Sequence, residues 1–368
     1  RNAKMVMLAF TVLLLIMVGT VFVYSPAEIL HSIWGSSLFW IIVIFAYYVI
    51  ATMLPIDKII GKIYPLFALS LLFMAGALMV MLFVKMPQLP ELWTHFYNMG
   101  AEAEPEKWTD QIFPCLFITI ACGAISGFHA TQSPLMARCV KSEHMGRPIF
   151  YGAMITEGVV ALIWATVSSW FFYGSPAPGY ELIAAVNTGF STSAPAVVNI
   201  VCNDWLGVAG AILALLGVVA APITSGDTAF RSARLIIGEW LHIDQRPIIK
   251  RLAICLPLFI SSIAMLVWQI ENPDGFNIIW QYFGWANQTL SVFTLWTLTV
   301  YLVRQKKPYI ITLIPALLMT TVCTTFLFVS KQAFHLPENI GYLLGILCLV
   351  VALVWFIVWY RKEKSKLV

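Results

Sequence analysis

The sequence predicts an all-α polytopic membrane protein. Of its 368 residues, 60% are hydrophobic and only 11% are charged, whereas soluble domains carry about 25% charged residues. Apolar runs recur along the whole chain, and a helix needs about 20 such residues to cross the hydrocarbon of a bilayer. The lipid bilayer is therefore the expected surrounding. The small net charge of +4 indicates basic loops rather than a surface for nucleic acid.

Ten apolar spans follow one another, and the loops between them decide their orientation. Basic residues gather in alternate loops, such as Lys58 and Lys62 after the second span and Arg246 and Lys250 after the sixth. The first and fifth loops lack lysine and arginine, and the third is rich in acids. Because basic loops face the cytoplasm, both ends of this chain are predicted to lie inside. The spans are 5–24, 38–54, 65–84, 111–137, 149–173, 206–226, 250–270, 276–303, 309–330 and 339–360.

A long external segment, residues 174–205, is predicted between the fifth and sixth spans. Two stretches in it, GYELIAAVNTGF and APAVVNIVCNDW, are too short and too weakly apolar to cross a membrane. They are interpreted as short helices on the outer face that form a lid. The seven cysteines are scattered without a C-x-x-C pair, which favours buried core residues over a disulfide framework or a metal site.

Polar groups first enter the membrane at ISGFHATQSPLMAR, residues 125–138. Glycine and proline weaken a helix, and non-helical backbone at membrane depth persists only where it is buried in protein or lines a wet cavity. Transporters use such broken helices to build sites near the midplane. The density of polar groups favours a substrate site over a simple helix end in which a backbone carbonyl satisfies the histidine. The candidate substrate-binding residues are Ser126, Gly127, Phe128, His129 and Gln132.

A second polar run is APITSGDTAFRSAR, residues 221–234, which is predicted to end the sixth span. The hydroxyls of Thr224 and Ser225 beside the carboxylate of Asp227 would suit a small cation or a proton relay. These three are candidate residues for ion or proton coupling. An ordinary helix end, with Asp227 paired to Arg231 four residues later, explains the pattern equally well.

Two further features place polar side chains inside spans. The stretch FGWANQTLS, residues 283–291, puts Asn287 and Gln288 close to Trp285 in the eighth span. All three are candidate substrate contacts, although amides at such places also bind helices to one another. Glu157 stands alone in the fifth span, where a carboxylate needs a partner or a proton. It is a candidate coupling residue, with a structural hydrogen bond as the alternative.

At these residues the sequence resembles the carbon starvation protein A (CstA) family. The resemblance rests on TIACGAISGFHATQSPLMARC, GRPIFYGAMITEG, LGVVAAPITSGDTAFRSARLI and YFGWANQTLSVFTLW, in the family's order, and it covers the chain from about residue 40. The chain is most similar to the shorter, Gram-positive-like members. Members of the family are bacterial plasma-membrane carriers implicated in peptide uptake during carbon starvation, and some relatives take up pyruvate with protons.

The resemblance implies a LeuT-type fold of two inverted five-helix repeats, as in the amino acid–polyamine–cation superfamily. Residues 1–110 would then be the remainder of the first repeat and 111–303 the second repeat, with the lid at 174–205. Residues 304–368 would add two helices to the same single transporter domain. The broken span becomes core helix 6 and the eighth span core helix 10. An upstream segment with a double histidine and a broken core helix 1 is expected to precede this chain.

The predicted function is a secondary carrier that imports peptides or small nutrients, driven by a proton or sodium gradient and with no cofactor beyond that ion. A pyruvate–proton symporter is one alternative, and a channel or nutrient sensor on the same scaffold is another. An intramembrane enzyme that uses His129 with Glu157 is disfavoured, because the sequence has neither an H-E-x-x-H pair nor a G-x-S-x-G elbow.

Overall fold

A computed structural model describes residues 2–53, 57–86, 89, 112–173, 194–272, 275–331 and 333–367. Within these residues every regular element is a helix, which confirms the all-α class. The α-helices are α1 (Asn2–Ile33), α2 (Ser37–Met53), α3 (Asp57–Lys85), α4 (Phe117–Ile120), α5 (Phe128–Cys139), α6 (Gly152–Tyr173), α7 (Ala194–Trp240), α8 (Ile248–Glu271), α9 (Gly275–Arg304), α10 (Ile310–Val329) and α11 (Glu338–Leu367). Short π- and 3₁₀-helical turns flank α4 and precede α6.

Eight helical segments of the described chain are long and apolar enough to cross a membrane, so the protein is multi-pass. Two predicted spans do not meet this standard. Helix α2 has only 17 residues, and α9, although 30 residues long, carries the amides that lower its hydropathy. The eight segments are Met5–Ile33, Pro65–Lys85, Ile112–Cys139, Glu143–Trp170, Gly210–Trp240, Ile248–Glu271, Ile310–Val329 and Glu338–Ser365.

Two helices continue through prolines where the predicted spans end. Helix α1 runs past Pro26 to Ile33, and α7 runs past Pro222 to Trp240, so the polar run at residues 224–228 lies inside a helix and does not terminate it. The hydroxyls of this region bond back to carbonyls of their own helix, so they are satisfied without leaving the helical conformation. These back-bonded residues are Thr224, Thr228 and Ser232, whose Oγ atoms lie 2.7–2.9 Å from the accepting oxygens.

Helix α7 is divided at Gly207, whose φ of 64° and ψ of −179° are not helical. A φ in this range is readily adopted by glycine, which lacks the Cβ atom that would clash. The part before Gly207 is the second of the short helices predicted for the external segment. The first of those helices falls within residues 174–193, outside the described residues.

The chain forms two compact units, and the first comprises Arg1–Thr11, Tyr97–Glu157 and Trp280–Val368. In this unit α10 and α11 form an antiparallel pair. Gly341 and Gly345 of α11 lie against the side chains of Val329 and Thr325, so the two helices approach closely. A buried cluster joins α10 to the start of the broken span and consists of Ile118, Met319, Val322, Cys323 and Phe326.

The second unit comprises Val12–Phe96 and Gly158–Ile279. Gly217 of α7 lies against the backbone at Leu71 of α3, which brings these helices together. Tyr48 of α2 is fully buried and donates hydrogen bonds to the carbonyls of Phe22 (2.7 Å) and Pro222 (3.2 Å). Gly226 leaves the space that the Tyr48 ring fills. Helices α1, α2 and α7 are thus tied to one another by buried polar contacts.

Candidate functional site

The span Ile112–Cys139 is interrupted near its middle, as the glycine and the polar residues predicted. A 3₁₀ turn at Ala121–Gly123 ends α4, residues 124–127 are not helical, and α5 begins at Phe128. The break extends from Ala124, whose φ is −121°, to Gly127, so it overlaps the start of the predicted segment 126–130, while residues 128–130 are already helical. The prediction of a broken helix in this segment is confirmed. A break of this kind frees backbone groups that must find other partners.

Asn287 of α9 supplies one such partner and also binds two side chains beside the break. Its Oδ1 accepts a hydrogen bond from the backbone N–H of Phe128 at 2.8 Å, and its Nδ2 donates to Ser126 Oγ at 3.0 Å and to Cys122 Sγ at 3.4 Å. The residue is only 1% exposed. An unsatisfied buried N–H would cost about 1–3 kcal/mol, so this amide stabilises the break itself.

Gly127 allows the break to lie directly on α9. A Cβ atom at this position would clash with the carbonyl of Asn287 and approach Leu290 Cβ to 2.7 Å and the nitrogen of Ser291 to 2.9 Å. Any larger residue must therefore separate the two segments. The sequence indicated that Gly127 weakens a helix, whereas the structure shows that close packing also requires it.

His129 and Glu157 form a pair at the first turn of α5 and the middle of the span Glu143–Trp170. His129 Nε2 lies 2.9 Å from Glu157 Oε2, and the two side chains are 35% and 39% exposed. The partner that a carboxylate at this depth needs is thus a titratable ring on the neighbouring helix. The arrangement places an imidazole and a carboxylate within hydrogen-bonding distance, with both side chains partly exposed.

The other predicted contacts on α9 bind helices together. The Gln288 side chain is fully buried, and its Nε2 donates to the carbonyl of Ile118 at 3.3 Å. The indole N–H of Trp285 donates to the carbonyl of Cys323 at 3.0 Å, and its ring packs edge-on against Phe10. At Gln288 the contacts therefore favour a role in binding two helices together over a role in binding substrate.

The polar residues that follow the break lie on α5. Thr131 Oγ1 donates to the carbonyl of Phe128 at 2.7 Å and accepts from Gln132 Nε2 at 3.1 Å. Phe128 and Gln132 are half-buried. The structure thus brings Asn287 into direct contact with the break at Ser126, Gly127 and Phe128. His129 and Gln132 follow on α5.

In the second unit Asp227 is fully buried within α7. Its Oδ1 accepts from Arg231 Nη2 and its Oδ2 from the hydroxyl of Tyr47, each at 3.1 Å. The same Arg231 Nη2 lies 3.3 Å from the carbonyl of Ala51. The alternative of an Asp227–Arg231 pair is therefore confirmed, although within a helix and not at its end. Ser225 of this run is half-buried.

Two of these partners could not be found by sequence reasoning. Tyr47 lies in an apolar helix and Cys122 in an apolar run, and neither position shows a periodic signal of its own. Both are defined by long-range contacts, to Asp227 in one case and to Asn287 in the other.

The fold and the site define a multi-pass α-helical membrane protein with a polar break in one span. The family model for carbon starvation protein CstA matches residues 1–199 and 181–326. The chain therefore belongs to the CstA family, and it is a multi-pass bacterial membrane protein.

Relatives of this chain include both uncharacterized proteins and named transporters. It is 39% identical over 232 residues to an uncharacterized membrane protein of Haemophilus influenzae, covering 50% of this chain and 62% of the relative. It is 28% identical over 328 residues to the peptide transporter CstA of Bacillus subtilis, covering 78% and 54%. A shorter match, 41% identical over 75 residues, is to the pyruvate/proton symporter BtsT of Escherichia coli, covering 20% and 10%.

The chain thus spans about half the length of the named peptide transporter from Bacillus subtilis. No solved structure is significantly similar to it.

Proposed function

We propose that this protein carries a small nutrient across the bacterial plasma membrane as a secondary transporter. Peptides are the first substrate class to test, because a relative that matches 78% of the chain is named a peptide transporter. Pyruvate is the second, because of the shorter match to a pyruvate/proton symporter. The observation that supports transport most directly is the polar break in mid-span, since transporters place solute sites at such interruptions.

The proposed substrate site is the surface around the break, formed by Ser126, Gly127, Phe128, His129 and Gln132. Asn287, Gln288 and Trp285 contribute by fixing the segments that carry these residues, because their polar atoms are engaged with the backbone or with neighbouring helices. In this view α9 is the support of the site and α5 presents its accessible groups.

The proposed coupling ion is the proton, exchanged at the His129–Glu157 pair. Imidazole is the side chain that most readily gains or loses a proton in the physiological range, and both partners are partly exposed. Sodium coupling through Thr224, Ser225 and Asp227 is less favoured. The Asp227 carboxylate already accepts from Arg231 and Tyr47, so a cation there would have to compete with a guanidinium.

The proposed arrangement in the membrane has ten crossings, a LeuT-type fold and both ends of this chain in the cytoplasm. Its support is the alternation of basic and non-basic loops, which requires α2 and α9 to cross in addition to the eight longer apolar segments. Without these two crossings, the basic loops after the fourth and sixth predicted spans would lie outside, against the usual distribution of charge.

Uptake by proteoliposomes containing the purified protein tests the proposal. We expect saturable accumulation of a dipeptide, or of pyruvate, when the outside is made acidic, and counterflow when unlabelled substrate is loaded inside. Flux that does not saturate and shows no counterflow would indicate a channel. Absence of flux for dipeptides, amino acids and pyruvate, with specific binding retained, would favour a nutrient sensor.

A further inference from the structure

One end of the α10–α11 pair brings two basic segments together. The first segment follows α9 and the second ends α11, and they meet because the Tyr309 and Tyr360 rings pack 5.4 Å apart. Tyr309 also packs against Phe356, at 5.9 Å. We call the combined surface the basic cap, and its residues are Arg304, Lys306, Lys307, Arg361, Lys362 and Lys364.

The basic cap is exposed and strongly positive. All six of its residues are solvent-exposed. By sequence, the only acid in residues 304–309 and 361–367 is Glu363. Glu363 is turned inward, with its side chain 15% exposed, and accepts a hydrogen bond from Arg304 Nε at 2.8 Å. The charge of Glu363 is thus balanced within the cap by Arg304, and the outer surface keeps an excess of lysine and arginine.

The basic cap also lies where a membrane surface must be. The span of α10 begins at Ile310 and that of α11 ends at Ser365, so the cap borders both spans at the same end. Phe356 packs against Trp359 and Tyr360 beneath the charges, and tyrosine and tryptophan favour the headgroup level. Large apolar side chains follow on the outer surface, with Ile311 73% and Trp355 74% exposed.

We propose that the basic cap is a binding site for the phosphate of anionic phospholipids, with the acyl chains against the exposed apolar face of α10 and α11. Clusters of lysine and arginine directly beside a membrane helix attract anionic lipids. The two basic segments meet where the rings of Tyr309, Phe356 and Tyr360 pack together, so one lipid headgroup can contact both segments. A basic loop that serves only to orient the chain needs neither this convergence nor a particular lipid.

The test is the thermal unfolding of the purified protein in detergent, with added phosphatidylglycerol or phosphatidylcholine. We expect phosphatidylglycerol to raise the midpoint by several degrees, on the order of 4 °C, and phosphatidylcholine to have little effect. The triple variant Lys307→Gln, Lys362→Gln, Lys364→Gln should lose most of this shift. The matched control is Lys331→Gln, an exposed lysine at the opposite end of the same helix pair, which should keep it.

Two further arms make the result decisive. The charge-preserving variant Lys307→Arg, Lys362→Arg, Lys364→Arg should retain the lipid shift, and high salt should reduce it because exposed charges are screened. A triple glutamine variant that keeps the full shift would overturn the proposal. An equal shift from inorganic phosphate alone would overturn it too, because the site would then bind anions without need of a lipid.

Discussion

At the scale of single residues, the site is built from pairs that are distant in sequence. The polar residues of the broken span were predicted from their density, but their partners were not. His129 contacts a residue 28 positions away, and Ser126 one that is 161 positions away. Periodicity and composition carry information about neighbours on one helix, whereas contacts between helices depend on packing. The sequence therefore predicted that polar residues gather at a break in this span and left their pairing open.

The His129–Glu157 pair leads to a prediction about pH. Replacing Glu157 with glutamine keeps a hydrogen-bond partner for His129 but removes the carboxylate that the proposed proton exchange requires. We expect this variant to lose acid-driven accumulation of substrate while it still exchanges substrate across the membrane without a gradient. Uptake and counterflow are measured in proteoliposomes between about pH 5.5 and 8, the range in which an imidazole ordinarily gains or loses a proton. Comparing them separates gradient-driven accumulation from exchange.

Glu143→Gln is the matched control, since Glu143 is an exposed acid at the first residue of the same span. It should leave both activities and their pH dependence unchanged. If Glu157→Gln accumulates substrate with the normal pH profile, the pair is structural and the proton is exchanged elsewhere.

At the scale of helices, the sequence predicted the break in one span but not the continuation of another. The break follows from a glycine and several polar residues close together. The run at residues 221–234 is also rich in polar residues and contains glycine and proline, yet α7 continues through it and its hydroxyls bond back to the helix. The difference lies in Asn287, which offers the first segment an external partner for its freed N–H. Such a partner cannot be read from the segment's own sequence.

Close packing of the break on α9 predicts that Gly127→Ala disrupts the site. The added methyl group would clash with the backbone at Asn287, and backbone of a packed helix cannot easily shift. We expect a loss of stability of about 1–3 kcal/mol, as for overpacked cores, together with loss of substrate exchange. Thermal unfolding in detergent and counterflow measure the two effects.

Gly152→Ala is the control, because a methyl group at that helical position meets no atom within 4 Å. It should be neutral or slightly stabilising, as alanine favours helix more than glycine does. Normal stability and exchange in Gly127→Ala would show that α5 and α9 can separate without harm, against the proposed arrangement of the site.

Asp227 ties α2 to α7 and leads to a prediction that separates structure from coupling. Asp227→Asn would leave the partly buried Arg231 guanidinium without its carboxylate, and breaking a buried pair costs about 3–5 kcal/mol. We expect the single variant to unfold at lower temperature, and the double variant Asp227→Asn, Arg231→Gln to recover much of the stability and of the substrate accumulation. A single variant of normal stability that binds substrate but cannot accumulate it would instead assign the coupling ion to Asp227.

At the scale of the whole molecule, the number of crossings follows from two borderline helices. The eight long apolar segments are evident in the sequence because hydrophobicity over a window of this length is a strong signal. Helix α2 is short and α9 carries adjacent amides, so the same signal is weak for both. Their crossing was predicted from the charges of the loops, which is independent of the helices' own hydropathy.

The arrangements with ten and with eight crossings place the loops at residues 142 and 244 on opposite sides of the membrane. With ten crossings, Ser142 and Asp244 lie in the cytoplasm; if α2 and α9 do not cross, both lie outside. The residues are exposed between helices, so Ser142→Cys and Asp244→Cys, each in a variant without the natural cysteines, can report their side. We expect a membrane-impermeant maleimide to leave both unlabelled in intact cells and to label both after the membrane is opened.

Two control positions are on known sides in either arrangement, provided that the C-terminal basic segment is cytoplasmic. Lys331→Cys, between α10 and α11, should be labelled in intact cells, and Ser365→Cys, at the end of α11, should be protected. With these controls satisfied, labelling at positions 142 and 244 in intact cells would remove α9 from the membrane-crossing set, because only α8, α10 and α11 would then separate residue 244 from residue 365. The LeuT-type arrangement, which counts α9 among its core, would then have to be abandoned. Protection at both positions requires an odd number of additional crossings between residues 244 and 331, and α9 is the apolar helix that can supply it.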